Sequence, residues 1–400
     1  MDRTYSGCRG APPGRWRRVE RVPSLGSVTV SGSCQDAFEP LRELLAAHLA
    51  DGTDLGASVA VVHDGELVVD LWGGEARPGV PWVEDTLVMV WSVSKTMAAL
   101  TTLLLVDRGD LDLDAPVASY WPEFSSPDVL VRHLLAHTSG YAGWSEPLDV
   151  PALLDLERAE AALAAQQPWW PPGQGSGYHM ISYGHLLDGL VRAATGVPLA
   201  EQFRTLLAEP LGADFHLGAG PDVLARVADL VPPTSSSLDV AALPEGNHLI
   251  ATITNPLLSE PDFNGAAFRG AGLGGVGGLG NARSIARIQC AVSHGGAVDG
   301  VRLLSEHTLD RVLEVQADGL DQVLAVPLTW GTGYALPSPG AAPAVPEGRV
   351  CWWTGWGGSI VVNDLDRRTT FAYAMNRMED HMTSSARTDA YVRTAFACLP

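Results

Sequence analysis

Apolar residues recur at helical spacing in PLRELLAAHLADG (Pro40 to Gly52), and a glycine stops the run. The next segment, GASVAVVHDGELVVDLWGG, reads as two strands around a turn at His63-Asp64-Gly65. In VWSVSKTMAALTTLLLVDRGDL the pattern changes again: from Ser92 onward apolar and small residues cover every face until Gly109. Such a run predicts a helix enclosed on all sides, at the centre of the protein.

From about Val131 to Ile253 helical segments alternate with Pro/Gly turns, as in VLVRHLLAHTSG, ALLDLERAEAALAAQQ, YGHLLDGLVRAATG and LAEQFRTLLAEPLG. After a glycine-rich stretch and the helical ARSIARIQCAVSHGG, strand patterns return in WTGWGGSIVVNDLDRRTTFAYAMNRM, and SSARTDAYVRTAFACL closes as a helix. The order predicts an α+β fold with a helical insertion. It divides into a flexible leader (1–37), an α/β sandwich (38–130 and 254–400) and a helical subdomain (131–253). No repeat at periods of 20 to 50 residues is apparent.

With 400 residues and 46% hydrophobic content, disorder of the whole chain is excluded and a large core is expected. The formal charge of -20 argues against nucleic acid or an anionic membrane as partner. Met1 to Pro23 is the exception: six arginines against two acids give it +4 and leave -24 for the rest. It reads as a leader or a docking arm. Arg17-Arg18 resembles a twin-arginine signal, but the apolar run of roughly 7 to 15 residues that export requires does not follow. No segment reaches the roughly 18 apolar residues of a membrane-spanning helix, so a soluble cytoplasmic protein is the expectation. The 5 cysteines are scattered, with no CxxC pair, and indicate neither a disulfide framework nor a zinc site.

Lys95 is the only lysine: of the 26 Lys and Arg residues, the other 25 are arginine. Arginine carries a surface charge equally well but does not become neutral near physiological pH. A position closed to arginine is one that needs a deprotonatable amine. Ser92 lies three residues earlier, and on a helix that spacing puts the two Cβ atoms roughly 5 to 6 Å apart on one face. An amine desolvated by the surrounding helix can take the serine proton, which makes Ser92 a nucleophile near a helix N-terminus that favours an oxyanion. Ser94 points elsewhere and reads as structural.

SVSK at the head of the enclosed helix, LLAHTSG (134–140), PPGQGSGYHMISYGHLLDGLVRAATG (171–196) and WTGWGGS (353–359) occur in the order seen in serine β-lactamase-like proteins. From about residue 38 onward the chain resembles the family VIII carboxylesterases and their acyltransferase relatives, which look like class C β-lactamases. The resemblance implies an antiparallel sheet flanked by helices plus an all-helical subdomain. It implies Ser92 as the acylated nucleophile, Lys95 as its base and Tyr178 as the phenol or phenolate that completes the proton relay, its pKa lowered by the lysine. The backbone N–H groups of Ser92 and Trp356 would form the oxyanion hole. A shifted register, with Trp356-Gly357-Gly358 in place of Trp353-Thr354-Gly355, would move the second donor to Ser359.

Trp353 stands where the lactamases carry the lysine of K-T-G, and Met180 where they carry the asparagine of Y-x-N. Loss of both polar contacts predicts poor β-lactamase and peptidase activity. Trp353, Thr354, Gly355, His179 and Met180 are the candidate substrate contacts, His179 being equally readable as an ordinary hydrogen-bonded histidine. Trp91, Trp169, Trp170, Trp352 and Trp356 add an aromatic setting suited to an apolar acyl group. GLGGVG (272–277) is a formal GxGxxG, yet no strand leads into it; His133 and His137 lack the glutamate of HExxH; and no GxSxG occurs. The reading is a two-step acyl transfer from a small-molecule ester or activated acyl donor, without cofactor or metal. Three alternatives stay open: water as acceptor (an esterase), an alcohol or amine (a transacylase), or a catalytically silent binding protein.

Overall fold

The computed structural model describes residues 29–234 and 247–400, and most of the expected leader lies outside them. Its centre is an antiparallel sheet of β1 (Val30–Cys34), β2 (Gly56–His63), β3 (Glu66–Arg77), β4 (Val350–Thr354), β5 (Ile360–Asp364) and β6 (Thr369–Met375). The spatial order is β1-β3-β2-β6-β5-β4, with the short strand Val80–Pro81 added to β3. Val30–Cys34 corrects the leader boundary: this segment pairs with β3, from Val30 opposite Gly73 to Cys34 opposite Val69. The β2–β3 turn is made by Asp64 and Gly65, both with positive φ (50° and 84°). That is the geometry a two-residue hairpin loop demands, and Asp-Gly supplies it.

Side-chain alternation sorts the sheet into two cores. Val59 and Val61 of β2, Ile360 and Val362 of β5 and Phe371 and Tyr373 of β6 share one cluster with Leu41 and Leu45 of α1 (Glu39–Asp51). Ala60, Val62, Val361, Ala372 and Ala374 join the other, with Met97, Ala98 and Leu100. The latter three belong to α2 (Ser94–Asp107), the central helix. Small residues on that face let the backbone of a covering helix come close.

Three more helices matter to the site: α3 (Ser182–Thr195), α4 (Ala282–Ser293) and α5 (Ala386–Ala397). Helix α4 packs on β2, β5 and β6, while α2 touches both α4 and α3 and so lies between the sheet layer and the helical region. That position explains a helix without a polar face. Its hydroxyls are satisfied within the helix, Thr101 donating to Met97 O (2.8 Å) and Thr102 to Ala98 O (2.9 Å). The helical stretch contains one short strand, His216–Leu217, which pairs with Gly278–Gly280 and through it with Val88–Met89. Among the described residues no helix is long and apolar enough to cross a membrane.

Phe371 is fully buried in the α1 side of the core. Phe371→Ala should cost about 3–5 kcal/mol, read as a fall in the urea midpoint at unchanged m-value.

Candidate active site

Ser92 precedes α2 in a tight turn closed by Val93 N to Val90 O (3.2 Å), Ser94 N to Trp91 O (3.0 Å) and Lys95 N to Ser92 O (3.0 Å). Trp91 takes φ +47°, a left-handed conformation that a bulky residue adopts only where the surroundings enforce it. The enforcing contacts are visible. Val90 N donates to Gly278 O (2.9 Å), and the Trp91 ring packs edge-on against Phe263 (5.2 Å) and Trp356 (5.1 Å). Ser94 bonds to Trp91 O and accepts Gly278 N–H (2.8 Å), the structural role expected of it.

Lys95 is 1% exposed, and its Nζ lies 3.0 Å from Ser92 Oγ, 2.7 Å from Met180 O and 2.8 Å from Gly275 O. Burial drives its pKa well below 10.5. A neutral amine has two N–H groups and one lone pair. In its neutral form, with both N–H groups on the carbonyls, this amine can turn its lone pair to the Ser92 hydroxyl. Gly275 reaches the lysine because α3 begins with almost no side chain facing it: a Cβ at Gly184 would stand 2.2 Å from Gly275 N. The glycine-rich 272–277 segment therefore supplies an acceptor for the lysine.

Tyr178 is buried, with Trp353 Nε1 donating to its Oη (3.0 Å). Burial raises its pKa, against the opposing hydrogen bonds of Ser92 and Trp353. The expectation that the lysine lowers it is corrected: Lys95 Nζ lies 4.8 Å from the ring centroid, yet burial prevails and the pKa is raised. Tyr178 rests as a phenol. Its backbone N–H donates to Asp321 Oδ1 (2.9 Å), which also accepts from Val323 N and Leu324 N (3.0 Å each), while Trp330 Nε1 donates to Oδ2 (3.2 Å). The Trp330 ring stacks on Tyr178 at 6.0 Å and 7°. Asp321 and Trp330 thus hold the tyrosine in place, and no local motif points to either.

The candidate substrate contacts divide sharply. His179 is fully buried, with Nδ1 on Gly177 O (2.7 Å) and Nε2 on Ser139 Oγ (2.6 Å), and burial lowers its pKa to about 3. Both ring nitrogens being engaged in this way, it is a neutral structural histidine and contacts no substrate. Trp353 is 2% exposed and serves Tyr178; Thr354 Oγ1 closes the following turn on Ser359 O (2.8 Å). Gly355 presses on the chain before the nucleophile, where a Cβ would lie 2.2 Å from Val90 O. Only Met180 and Trp356 of this group retain partial exposure. Among the other tryptophans, Trp352 donates to Leu336 O (2.8 Å) in the core, Trp169 stacks on His248 (5.3 Å, 15°) and Trp170 packs under Gly177. Phe263 and Phe268, in a stretch that reads as loop, lie on short helices and complete the wall around Trp91.

His133 and His137 use Nδ1 to accept Leu130 N (3.2 Å) and His179 N (3.1 Å), respectively. A cleft of about 650 Å³ opens between Glu84, Asp214, Arg283 and Arg287. None of the site residues above lines it, and its charges pair with each other or with neighbours, as in Arg283 with Glu84 (3.0 Å) and Asp214 with Arg226 (2.6 Å). It is a self-neutralised groove.

A buried serine–lysine pair between an antiparallel sheet and a helical layer defines a serine hydrolase. The chain belongs to the Beta-lactamase family, which it matches over residues 41–396. It is 36% identical over 340 residues to the esterase/beta-lactamase LipL of Mycobacterium tuberculosis, covering 81% of this chain and 77% of that one. A crystal structure of a family VIII carboxylesterase superposes with TM-score 0.85 at 34% identity, over 93% of this chain and 100% of the other. A penicillin-binding protein homologue from Caulobacter crescentus does so with TM-score 0.85 at 32% identity, over the same shares. The protein is an esterase/β-lactamase-type enzyme of β-lactamase-like fold.

The lysine has a signature in stability. Between its lowered folded pKa and 10.5 the unfolded chain binds one more proton than the folded chain, so stability rises with pH by about 1.4 kcal/mol per unit from this group. Lys95→Met should be more stable than the parent at neutral pH. The difference should shrink toward pH 10.5, as followed by urea denaturation at a series of pH values.

Proposed function

We propose that the protein is a carboxylesterase that hydrolyses esters of apolar acyl groups through a Ser92–Lys95–Tyr178 centre. Lys95 carries the reading: a buried amine without a counter-ion among the described residues, with two carbonyls engaging its N–H groups and a serine hydroxyl 3.0 Å away. Ser92 Oγ attacks the ester carbonyl as its proton passes to Lys95 Nζ. Tyr178, a phenol, gives its proton to the departing alkoxide and regains one from the Lys95 ammonium. Water then attacks the acyl-enzyme by the same steps in reverse, releasing the acid and restoring the serine.

The backbone N–H groups of Ser92 and Trp356 hold the tetrahedral oxyanion. The Trp356 donor follows from peptide geometry. Gly355 C=O turns inward to accept Gly358 N–H (3.0 Å), and in a trans peptide the adjoining N–H points the opposite way, out of the turn. Gly355 lies against Val90 and Trp91 on that side. This favours the Trp353-Thr354-Gly355 register over the one ending at Ser359. A β-lactam carboxylate would meet an apolar indole at position 353 where the lactamases offer an ammonium, so esters are the favoured substrates.

A fluorophosphonate should add one adduct to the Ser92 peptide by intact mass and peptide mapping. The adduct should be absent in Ser92→Ala and slowed about 10²–10⁴-fold in Lys95→Arg, as for loss of a general base. An unlabelled, folded parent protein would sink the reading. Tyr178→Phe should lower p-nitrophenyl butyrate turnover by a similar factor, and nitrocefin should be hydrolysed far more slowly than the ester. Added amines or alcohols should leave the acid as product; diversion to amide or ester would make the protein a transacylase.

A further inference from the structure

The turn Gly355–Ser359 carries the second oxyanion donor; its own hydrogen bonds, Gly355 N to Ser359 O (2.7 Å) and Gly358 N to Gly355 O (3.0 Å), close its ends and leave the carbonyls of Gly357 and Gly358 free to be held from elsewhere. Gly357 and Gly358 have φ of +92° and +127°, which only glycine holds without strain, and glycine is also the residue most easily displaced. The carbonyls of these two glycines are held from outside the turn.

That support comes from the first turn of α5. Arg387 Nη2 donates to Gly357 O (2.6 Å), and the adjacent Thr388 Oγ1 donates to Gly358 O (3.1 Å). Gly357 O also accepts Glu379 N–H (3.0 Å). Both successive carbonyls of the turn are thus gripped from behind by neighbouring side chains on a rigid helix. A Cβ at Gly358 would lie 2.9 Å from Arg387 Nη2, so the glycine is also what admits the guanidinium.

Arg387 is buried and fixed in turn. Its Nη1 donates to Asp54 Oδ1 (3.1 Å) and Thr53 O (3.0 Å), and its Nε faces Glu379 Oε2 (3.2 Å) without an aligned hydrogen bond. Asp54 receives Tyr373 Oη (2.5 Å) and Tyr391 Oη (2.7 Å), with His48 Nδ1 at 3.7 Å. This network spans the α1–β2 loop, β6 and α5. A buried ion pair is a poor way to add stability, since desolvation cancels much of its attraction. The planar fork of arginine is a good way to fix a direction.

We infer that Arg387 and Thr388 are positioning residues for the oxyanion hole, orienting the Trp356 N–H by clamping the carbonyls of Gly357 and Gly358. The inference rests on the esterase reading above. Neither residue touches substrate.

The test uses Arg387→Lys, which keeps a charge opposite Asp54 but loses the fork, and Thr388→Val, which keeps the shape and removes only the bond to Gly358 O. Each is assayed on p-nitrophenyl butyrate and titrated with a phenylboronic acid, whose tetrahedral adduct on the serine mimics the oxyanion state. The expected result is kcat lowered by about 10–100-fold, less than for outright loss of an oxyanion donor, with KM within about twofold and boronate affinity falling in parallel. Folding is monitored by circular dichroism; should Arg387→Lys fail to fold, Thr388→Val still decides. Unchanged kcat in a folded variant, or a rise in KM alone, overturns the clamp while Ser92→Ala remains inactive. If Ser92→Ala retains turnover, the esterase reading has failed and the clamp falls with it.

Discussion

Among the described residues Lys95 is held without a counter-ion: its amine meets two carbonyl oxygens and one hydroxyl, and burial drives its proton affinity down. Removing a lysine from water shifts its pKa by up to about 3–5 units, and the fold supplies that desolvation on every side. Helix α2 must be enclosed, so it lies between α4 and the helical region. The chain at 275 must come within reach, so Gly184 and Gly275 face each other without side chains. The same burial raises the pKa of Tyr178, so that it rests protonated.

The parts of this arrangement that rest on side-chain identity were legible from the sequence. A lone lysine among arginines marked the base, an Asp-Gly pair marked the hairpin, and an apolar run without a polar face marked the central helix. The carbonyls of Met180 and Gly275 were illegible, since every residue carries one and only the fold selects which two meet the lysine. Asp321 is 143 residues from Tyr178 in sequence, and no local pattern links them. For His179 two readings stood side by side, substrate contact and ordinary hydrogen-bonded histidine, and only its buried partners Gly177 O and Ser139 Oγ, one of them 40 residues away, favour the second. Strand β1 escaped notice because VSGSC offers too few apolar residues to show alternation.

Trp353 shows how one substitution changes what a conserved-looking motif can do. An ammonium at this place would serve both the tyrosine and a substrate carboxylate. The indole keeps the first duty, donating from Nε1 to Tyr178 Oη, and drops the second. Of the candidate substrate contacts around it, Met180 and the neighbouring Trp356, both apolar in the main, keep partial exposure.

The sheet order has a consequence in time. Strand β2 pairs with β6, Val59 opposite Tyr373, and the site joins residues 92, 95 and 178 to a turn near 356. A chain emerging from the ribosome can form the β2–β3 hairpin early, yet it has neither a complete sheet nor a Trp356 donor until more than 350 residues have been made. Pairings so distant in sequence form late in folding. The β4–β6 strands, made last, are the ones that complete both the sheet and the turn beside the serine.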